Sequence, residues 1–223
     1  MKLAALLGVA CWASAALGAF DLNRAGAVLK APSGDSFTSV TGTFNVPNLS
    51  GNSRLSVWVG IGDSAEQTYV LGGGIVFNRT LSSWAAFYPQ PSTDTTSQVP
   101  VSNGNSIRVT VNIQEGAGGS VTIENTTQNR RVTQTLAAPE NADASRLTAL
   151  AADWWVQGYQ VTPGELLTTP NFGTLQFTAC SATTKSGKTL PLTGAGAYEL
   201  QGTSGQMYSR TTISANGVSI RRQ

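Results

Sequence analysis

Short runs in which apolar and polar residues alternate are the feature that most constrains how this chain can fold. Residues 107–113 change character at every step, and residues 120–124 and 131–136 repeat the pattern after short turns. Because successive side chains of a β-strand point to opposite faces, a period of two predicts half-buried strands. The short spacing between the three runs predicts an antiparallel meander.

Comparable runs occupy much of the remaining chain, at residues 38–46, 54–61, 68–77, 152–159, 175–180 and 208–213. The 24 glycines and the low charged content, 12% of residues, are typical of short strands and tight turns rather than of helices. We therefore predict an all-β fold, a β-sandwich of two antiparallel sheets.

The first 18 residues have the composition of a secretory signal peptide. Lys2 precedes an apolar stretch that runs to residue 17, and small residues surround Gly18. The chain turns polar at Asp21, so this stretch is too short for a membrane anchor, which needs about 20 apolar residues. We predict a signal peptide at 1–18, a sandwich domain at 19–223, secretion to the extracellular space and no membrane-spanning segment.

Two further features concern chemistry outside the cell. Cys11 belongs to the predicted signal peptide, so Cys180 is left without a partner within the chain and disulfides are not expected to hold the fold. Asn48, Asn78 and Asn125 each begin an Asn-X-Ser/Thr sequence, the acceptor pattern for N-glycosylation. We predict a glycoprotein with these three acceptor sites.

The residue inventory excludes several functions. The chain has no histidine, the usual base of serine and cysteine nucleophiles and the usual zinc ligand. Net charge is +2 with the basic residues scattered, which argues against a nucleic-acid partner. No strand carries two acidic residues on one face, so neither a glycosidase pair nor a cluster of oxygen ligands is expected. We predict no metal and no cofactor.

Seven segments taken in order resemble one known family. They are Thr43-Phe44-Asn45-Val46-Pro47, Trp58-Val59-Gly60-Ile61, Leu71-Gly72-Gly73-Gly74, Trp84-Ala85-Ala86-Phe87-Tyr88-Pro89, Val121-Thr122-Ile123-Glu124-Asn125, Ala152-Asp153-Trp154-Trp155-Val156-Gln157 and Asn171-Phe172-Gly173. They are similar to the eqolisins, the secreted fungal glutamic peptidases. The resemblance implies a concanavalin-like sandwich and an extended peptide that is bound across its concave face and cleaved at acid pH.

The resemblance also implies a catalytic pair, a glutamine and a glutamate, and both positions are substituted here. The glutamine of the family's Leu-Gln-Thr-Gly corresponds to Gly72, and the glutamate that ends its Ala-Glu-aromatic-aliphatic-aliphatic-Glu strand corresponds to Gln157. In the family the carboxyl group activates water and the amide stabilises the oxyanion. Two supporting positions differ as well, since Arg24 stands for a tryptophan and Ala86 for an acid.

Our first hypothesis is therefore a non-catalytic eqolisin-like protein, expected to be a monomer, that binds extended polypeptide. Alternation places aromatic side chains on the cleft face, with one acid among them. The predicted cleft-binding residues are Trp58, Trp84, Tyr88, Asp153 and Trp155. Three consecutive glycines, residues 72–74, predict either a β-bulge or the close approach of another backbone.

Two alternatives remain open. An acid endopeptidase could use a relocated carboxylate, for which Asp63, Glu66 and Asp153 are the candidates. A carbohydrate-binding sandwich is the second, because aromatic rings stack on sugars and the architecture is shared with lectins.

Overall fold

The computed structural model describes residues 19–51, 53–62, 68–114, 117–143, 145, 147–159 and 169–223. The predicted signal peptide, residues 1–18, lies outside them, as do Asp63 and Glu66. The described part of the chain contains strands and turns and no α-helix, and none of it forms a helix long and apolar enough to cross a bilayer.

The described strands are short and follow one another closely along the chain. In chain order they are β1 (Ala19–Asp21), β2 (Arg24–Lys30), β3 (Phe37–Asn45), β4 (Arg54–Gly62), β5 (Val70–Asn78), β6 (Thr80–Tyr88), β7 (Thr93–Asp94), β8 (Ser106–Gln114), β9 (Gly118–Asn125), β10 (Arg130–Ala137), β11 (Ala151–Gly158), β12 (Thr174–Thr184), β13 (Thr189–Leu190), β14 (Gly196–Leu200), β15 (Ser209–Ser214) and β16 (Gly217–Arg222).

The strands form two sheets. The front sheet has the order β1-β14-β2-β11-β4-β5-β6-β7, and the back sheet has the order β10-β9-β8-β3-β12-β16-β15, with β13 paired to β12. Within the described residues the pairings are antiparallel except that of β1 with β14. The predicted meander is β8, β9 and β10, and the predicted antiparallel β-sandwich is confirmed.

The core lies between the sheets, where the inward half of each alternating strand is buried. Val109 of β8, Ile123 of β9 and Val57 of the front sheet belong to one apolar cluster, and all three are fully buried. The rings of Phe44 and Phe177 pack edge to face with centroids 5.4 Å apart. Each such side chain contributes about 1.5–3 kcal/mol through removal of apolar surface from water, so this layer is the main source of stability.

Trp154 joins the two sheets directly. It belongs to β11 of the front sheet, is fully buried, and donates its indole Nε1–H to the Thr41 carbonyl of the back sheet at 2.9 Å. Gly42 provides the room for this ring, since a Cβ at that position would lie 2.7 Å from Trp154 Cδ1 and Nε1. The glycine is therefore required by the packing of the indole.

Two of the three predicted glycosylation sites are accessible. Asn48 and Asn78 are exposed, the latter as the last residue of β5. Asn125 is fully buried, and its Nδ2 donates to the Pro100 carbonyl and to Asn105 Oδ1, both at 2.8 Å. The prediction for Asn125 is corrected, because the nitrogen that would carry the glycan is enclosed and hydrogen-bonded.

Cys180 lies at an irregularity in β12. The register with β3 shifts between Thr178 and Ser181, and Ala179 adopts a positive φ of 50°. The shift turns Cys180 into the core, where its side chain is a buried free thiol. Burial raises the pKa of this thiol to about 12 because the thiolate would lose its hydration.

Replacing Trp154 with alanine is expected to lower the free energy of unfolding by about 3–5 kcal/mol, since it leaves a cavity between the sheets and removes the bond to Thr41. Urea denaturation followed by circular dichroism measures this loss. Leu150→Ala is the control, because Leu150 is 43% exposed and should change stability by less than about 0.5 kcal/mol. Equal stability of the two variants would contradict the role given to Trp154.

Cys180 should react with iodoacetamide near neutral pH only when the protein opens. We expect labelling of the native protein to be at least about a thousandfold slower than in urea, because the thiol is buried and un-ionised. A matched control, Thr178→Cys in a Cys180→Ala background, places a thiol at an exposed position of the same strand. Rapid labelling of native wild-type protein would show that Cys180 is not enclosed.

Candidate ligand-binding groove

The outer face of the front sheet, the one turned away from the core, carries a second apolar cluster. Its buried members are Val28, Trp58, Val70, Ala151 and Trp155, with Trp84 and Tyr198 packed against them. Polar residues are expected on the outer face of a solvated sheet. An aromatic cluster there makes this face a candidate for ligand binding.

Strand register arranges the outward side chains of this face in rows that cross the sheet. The tryptophan row contains Trp155, Trp58, Gly74 and Trp84. On one side of it lies the Gly72 row, made of Asp153, Gly60, Gly72 and Ala86. On the other side lies the Gln157 row, made of Arg24, Gln157, Ser56 and Val76. Neighbouring rows are two residues apart along each strand, or about 6.6 Å.

A groove with a volume of about 480 Å³ runs over these rows. It brings together Gly72 and Gln157, the two positions predicted for the family pair, although they lie on different strands. Its lining residues are Asn23, Arg24, Arg54, Trp58, Val70, Gly72, Val76, Trp84, Ala86, Tyr88, Gln90, Ser92, Gln157 and Tyr159. A larger cavity, about 610 Å³, opens near Val28 and Lys30, but neither pair position lines it.

Gln157 is held in one orientation by Trp58. Its Oε1 accepts a hydrogen bond from Trp58 Nε1–H at 2.9 Å. Because the indole nitrogen can only donate, the amide oxygen must face it, and the Nε2 hydrogens are directed away from Trp58. Gln157 therefore presents donors to the groove.

Gly72 lies where the neighbouring strand leaves little room for a side chain. A Cβ at this position would lie 2.9 Å from the Val59 carbonyl oxygen and 3.5 Å from Trp58 Cε3. At Gly74 the corresponding distance to the Val57 carbonyl oxygen is 2.1 Å. The ladder through residues 72–74 is continuous with both neighbours and has no bulge. Of the two predictions for the three glycines, close backbone approach is the one observed.

The predicted cleft-binding residues divide into two groups. Trp58, Trp84 and Tyr88 line the groove, and Tyr88 is 55% exposed at its rim. Asp153 and Trp155 are fully buried and do not line it. Asp153 shares a row with Gly72 two strands away, about 10 Å across the sheet, and a role for it in binding stays a prediction.

Trp155 forms part of the floor beneath the groove. Its ring packs edge to face on Tyr198 with centroids 5.1 Å apart, and it lies 6.4 Å from Trp58. The Arg24 guanidinium carbon covers it at 5.1 Å. This stack supports Arg24 and Trp58, which line the groove, so Trp155 acts on the groove by positioning its neighbours.

One end of the groove is basic. Arg24 donates from Nε and Nη2 to Asp21 Oδ2, at 3.1 and 2.8 Å. The guanidinium carbon of Arg54 lies 3.9 Å from the centre of the Tyr159 ring, and the Tyr159 hydroxyl is hydrogen-bonded to Ser56 Oγ at 2.7 Å. No carboxyl group is present among the described lining residues, and the described chain has no cluster of three or more metal-ligating side chains.

Sequence reasoning missed Arg54 and Tyr159. Each is an even number of residues from a position that was predicted for the cleft, since Arg54 lies four residues before Trp58 and Tyr159 two after Gln157. Residues so spaced on a strand share one face. Alternation alone could have placed them on the outer face. Their mutual contact depends on the pairing of β4 with β11, which is a long-range property.

Comparison with known proteins agrees with this geometry. The profile of the peptidase A4 family matches residues 22–222. Aspergillopepsin-2 of Aspergillus niger is 29% identical over 228 aligned residues, covering 90% of this chain and 77% of that protein. Scytalidopepsin B of Scytalidium lignicola is 32% identical over 133 residues, which is 58% of this chain and half of that relative's length.

Solved structures show the same architecture. Scytalido-glutamic peptidase with a transition state analog inhibitor superposes with a TM-score of 0.77 at 28% identity, covering 91% of this chain and 99% of that one. The eqolisin SCP-B, in complex with the tripeptide Ala-Ile-His, gives 0.74 at 25% identity over the same shares. The motif resemblance is thereby confirmed, and the chain belongs to the peptidase A4 family, the glutamic peptidases or eqolisins.

Proposed function

We propose that this protein is a non-catalytic member of its family that binds extended polypeptide in the groove. The observation that carries the proposal is the presence of Gly72 and Gln157 at the two positions where the family resemblance places the catalytic amide and carboxyl. Both line the groove. The geometry that would present such a pair to a ligand is therefore kept while its functional groups are absent.

Neither residue can replace the group that it stands for. Glycine has no side chain, so Gly72 offers nothing to a developing oxyanion. A carboxamide does not exchange a proton with water near any working pH, so Gln157 cannot serve as general base or acid. Its oxygen also accepts a hydrogen bond from the Trp58 indole. The groove therefore lacks, at these two positions, both the amide and the carboxyl group that the family uses to hydrolyse a peptide bond.

Binding makes fewer demands on the site than catalysis. The groove keeps an aromatic floor and an exposed Tyr88 at its rim, a combination that is enriched where proteins bind ligands. Structures of relatives contain a peptide-based transition state analog or a tripeptide. A polypeptide in the corresponding groove of this chain is the simplest function that these features support.

Purified protein is expected to leave denatured casein intact from roughly pH 2 to pH 6, the range in which a carboxyl base would work. Gln157→Glu should also be inactive, because Gly72 still supplies no amide. Release of acid-soluble peptides measures cleavage, with another acid peptidase as the positive control and a mock purification as the blank.

Cleavage by the wild-type protein above that blank would overturn the proposal and favour the relocated carboxylate. Asp63→Asn, Glu66→Gln and Asp153→Asn, made singly, would then identify the acid, because loss of its carboxyl must abolish activity.

Filling the groove should abolish binding without unfolding the protein. Val76→Trp places an indole at a partly exposed lining position, and we expect it to weaken binding of unfolded casein at least tenfold, roughly the loss of one well-packed contact region. Titration calorimetry measures the affinity.

Thr212→Trp is the matched control, since Thr212 is an exposed residue of β15 on the back sheet. This variant should bind unfolded casein as tightly as the wild type does. Equal weakening by both variants would show that the groove is not the binding site. The carbohydrate alternative would be favoured if the wild type bound a glycan but no casein, and if Val76→Trp abolished the glycan binding.

A further inference from the structure

We infer that the basic end of the groove binds a carboxylate, so that the polypeptide recognised carries an acidic side chain at this point. The inference rests on the proposed function and names the ligand class of the same groove. It depends on Gln157 and Arg54 as donors, with Arg24 as a fixed positive charge beside them.

The orientation of Gln157 is the first observation. Its oxygen is committed to Trp58 Nε1 at 2.9 Å, and no described residue accepts a hydrogen bond from its Nε2. The bond fixes which way the amide faces, so the two hydrogens of Nε2 are left to donate to a ligand. A ligand atom that approaches Nε2 must be an acceptor.

The environment of Arg54 is the second. Its guanidinium is stacked on the Tyr159 ring at 3.9 Å, and that ring is itself fixed by the hydroxyl bond to Ser56. Stacking covers one face of the guanidinium and leaves the N–H groups at its edge, the geometry that matches a carboxylate. The described ion pairs involve Arg24, Arg131 and Arg210, and none involves Arg54.

Arg24 contributes mainly through its position. It pairs in register with Gln157 on the neighbouring strand and is held by Asp21 and by the face of Trp155. Because Asp21 offsets part of its charge, we assign the direct contacts with the ligand to Arg54 and Gln157. Arg24 keeps the local potential from becoming negative.

The substitutions relative to the family pattern act in the same direction. Where the resemblance places a glutamate, an acid and a tryptophan, this chain has Gln157, Ala86 and Arg24. Two negative charges are absent and one positive charge is added, all on the lining of one groove. Charge complementarity therefore favours an acidic segment over a neutral or basic one.

The test compares two peptides that differ in one group. A blocked nonapeptide of Ala, Val and Thr with a single central Glu is titrated against the wild type near neutral pH, beside the same peptide with Gln. We expect the Glu peptide to bind about tenfold more tightly, the lower range for a hydrogen bond to a charged group. High salt should reduce the difference. A third peptide, with Gln and a free C-terminus, shows whether a terminal carboxylate substitutes for the side chain.

Two groove variants and one control test where on the protein the carboxylate of the peptide binds. Arg54→Gln and Gln157→Glu should each remove most of the preference for Glu while the Gln peptide still binds. Arg130→Gln, at an exposed position of β10 on the back sheet, should leave the preference intact.

The possible failures are distinguishable. Equal binding of the Glu and Gln peptides would overturn this inference and leave the proposed function standing. A preference for Glu that survives in Arg54→Gln and Gln157→Glu would also overturn it, because the carboxylate would then be bound elsewhere. Binding of neither peptide would overturn both proposals, and preference for the free C-terminus alone would replace the acidic side chain with a chain end.

Discussion

The groove depends on the unbroken register of five neighbouring strands, β2, β11, β4, β5 and β6. Backbone hydrogen bonding between these strands places residues that are far apart in sequence in common rows. A shift of one residue in any of them would turn its groove residues into the core and its core residues outward. Trp154 opposes such a shift, because its hydrogen bond to Thr41 ties the centre of β11 to the other sheet.

Much of the fold could be predicted because each strand carries its own signal. The alternation at residues 107–113 and 54–61 located β8 and β4 to within a residue or so, and it also placed Trp58 and Trp84 on the outer face. The ordered motifs identified the family. These inferences succeeded because strand periodicity and motif order are properties of the chain itself.

The features that the sequence did not predict are the contacts that individual side chains make in the folded protein. Trp155 lies on the same face of β11 as Gln157, yet it is fully buried because Arg24 and Tyr198, from other strands, cover it. The acceptor pattern at Asn125 gives no indication that its amide is enclosed by Pro100 and Asn105. The orientation of the Gln157 amide likewise follows from a partner 99 positions away. Such contacts are set by strand pairing across long separations, which local patterns do not contain.

The narrow space at Gly72 makes the two groove positions, 72 and 157, unequal in the substitutions that they can accept. At position 157 an amide can become a carboxyl by one nearly isosteric change, and the change could be reversed as easily. At position 72 a side chain would press on the Val59 carbonyl, so any substitution there requires that the backbone of β4 shift first. The two positions therefore differ in how freely they can vary: residue 157 can exchange amide for carboxyl without rearrangement, whereas residue 72 is limited to glycine by the backbone of the neighbouring strand.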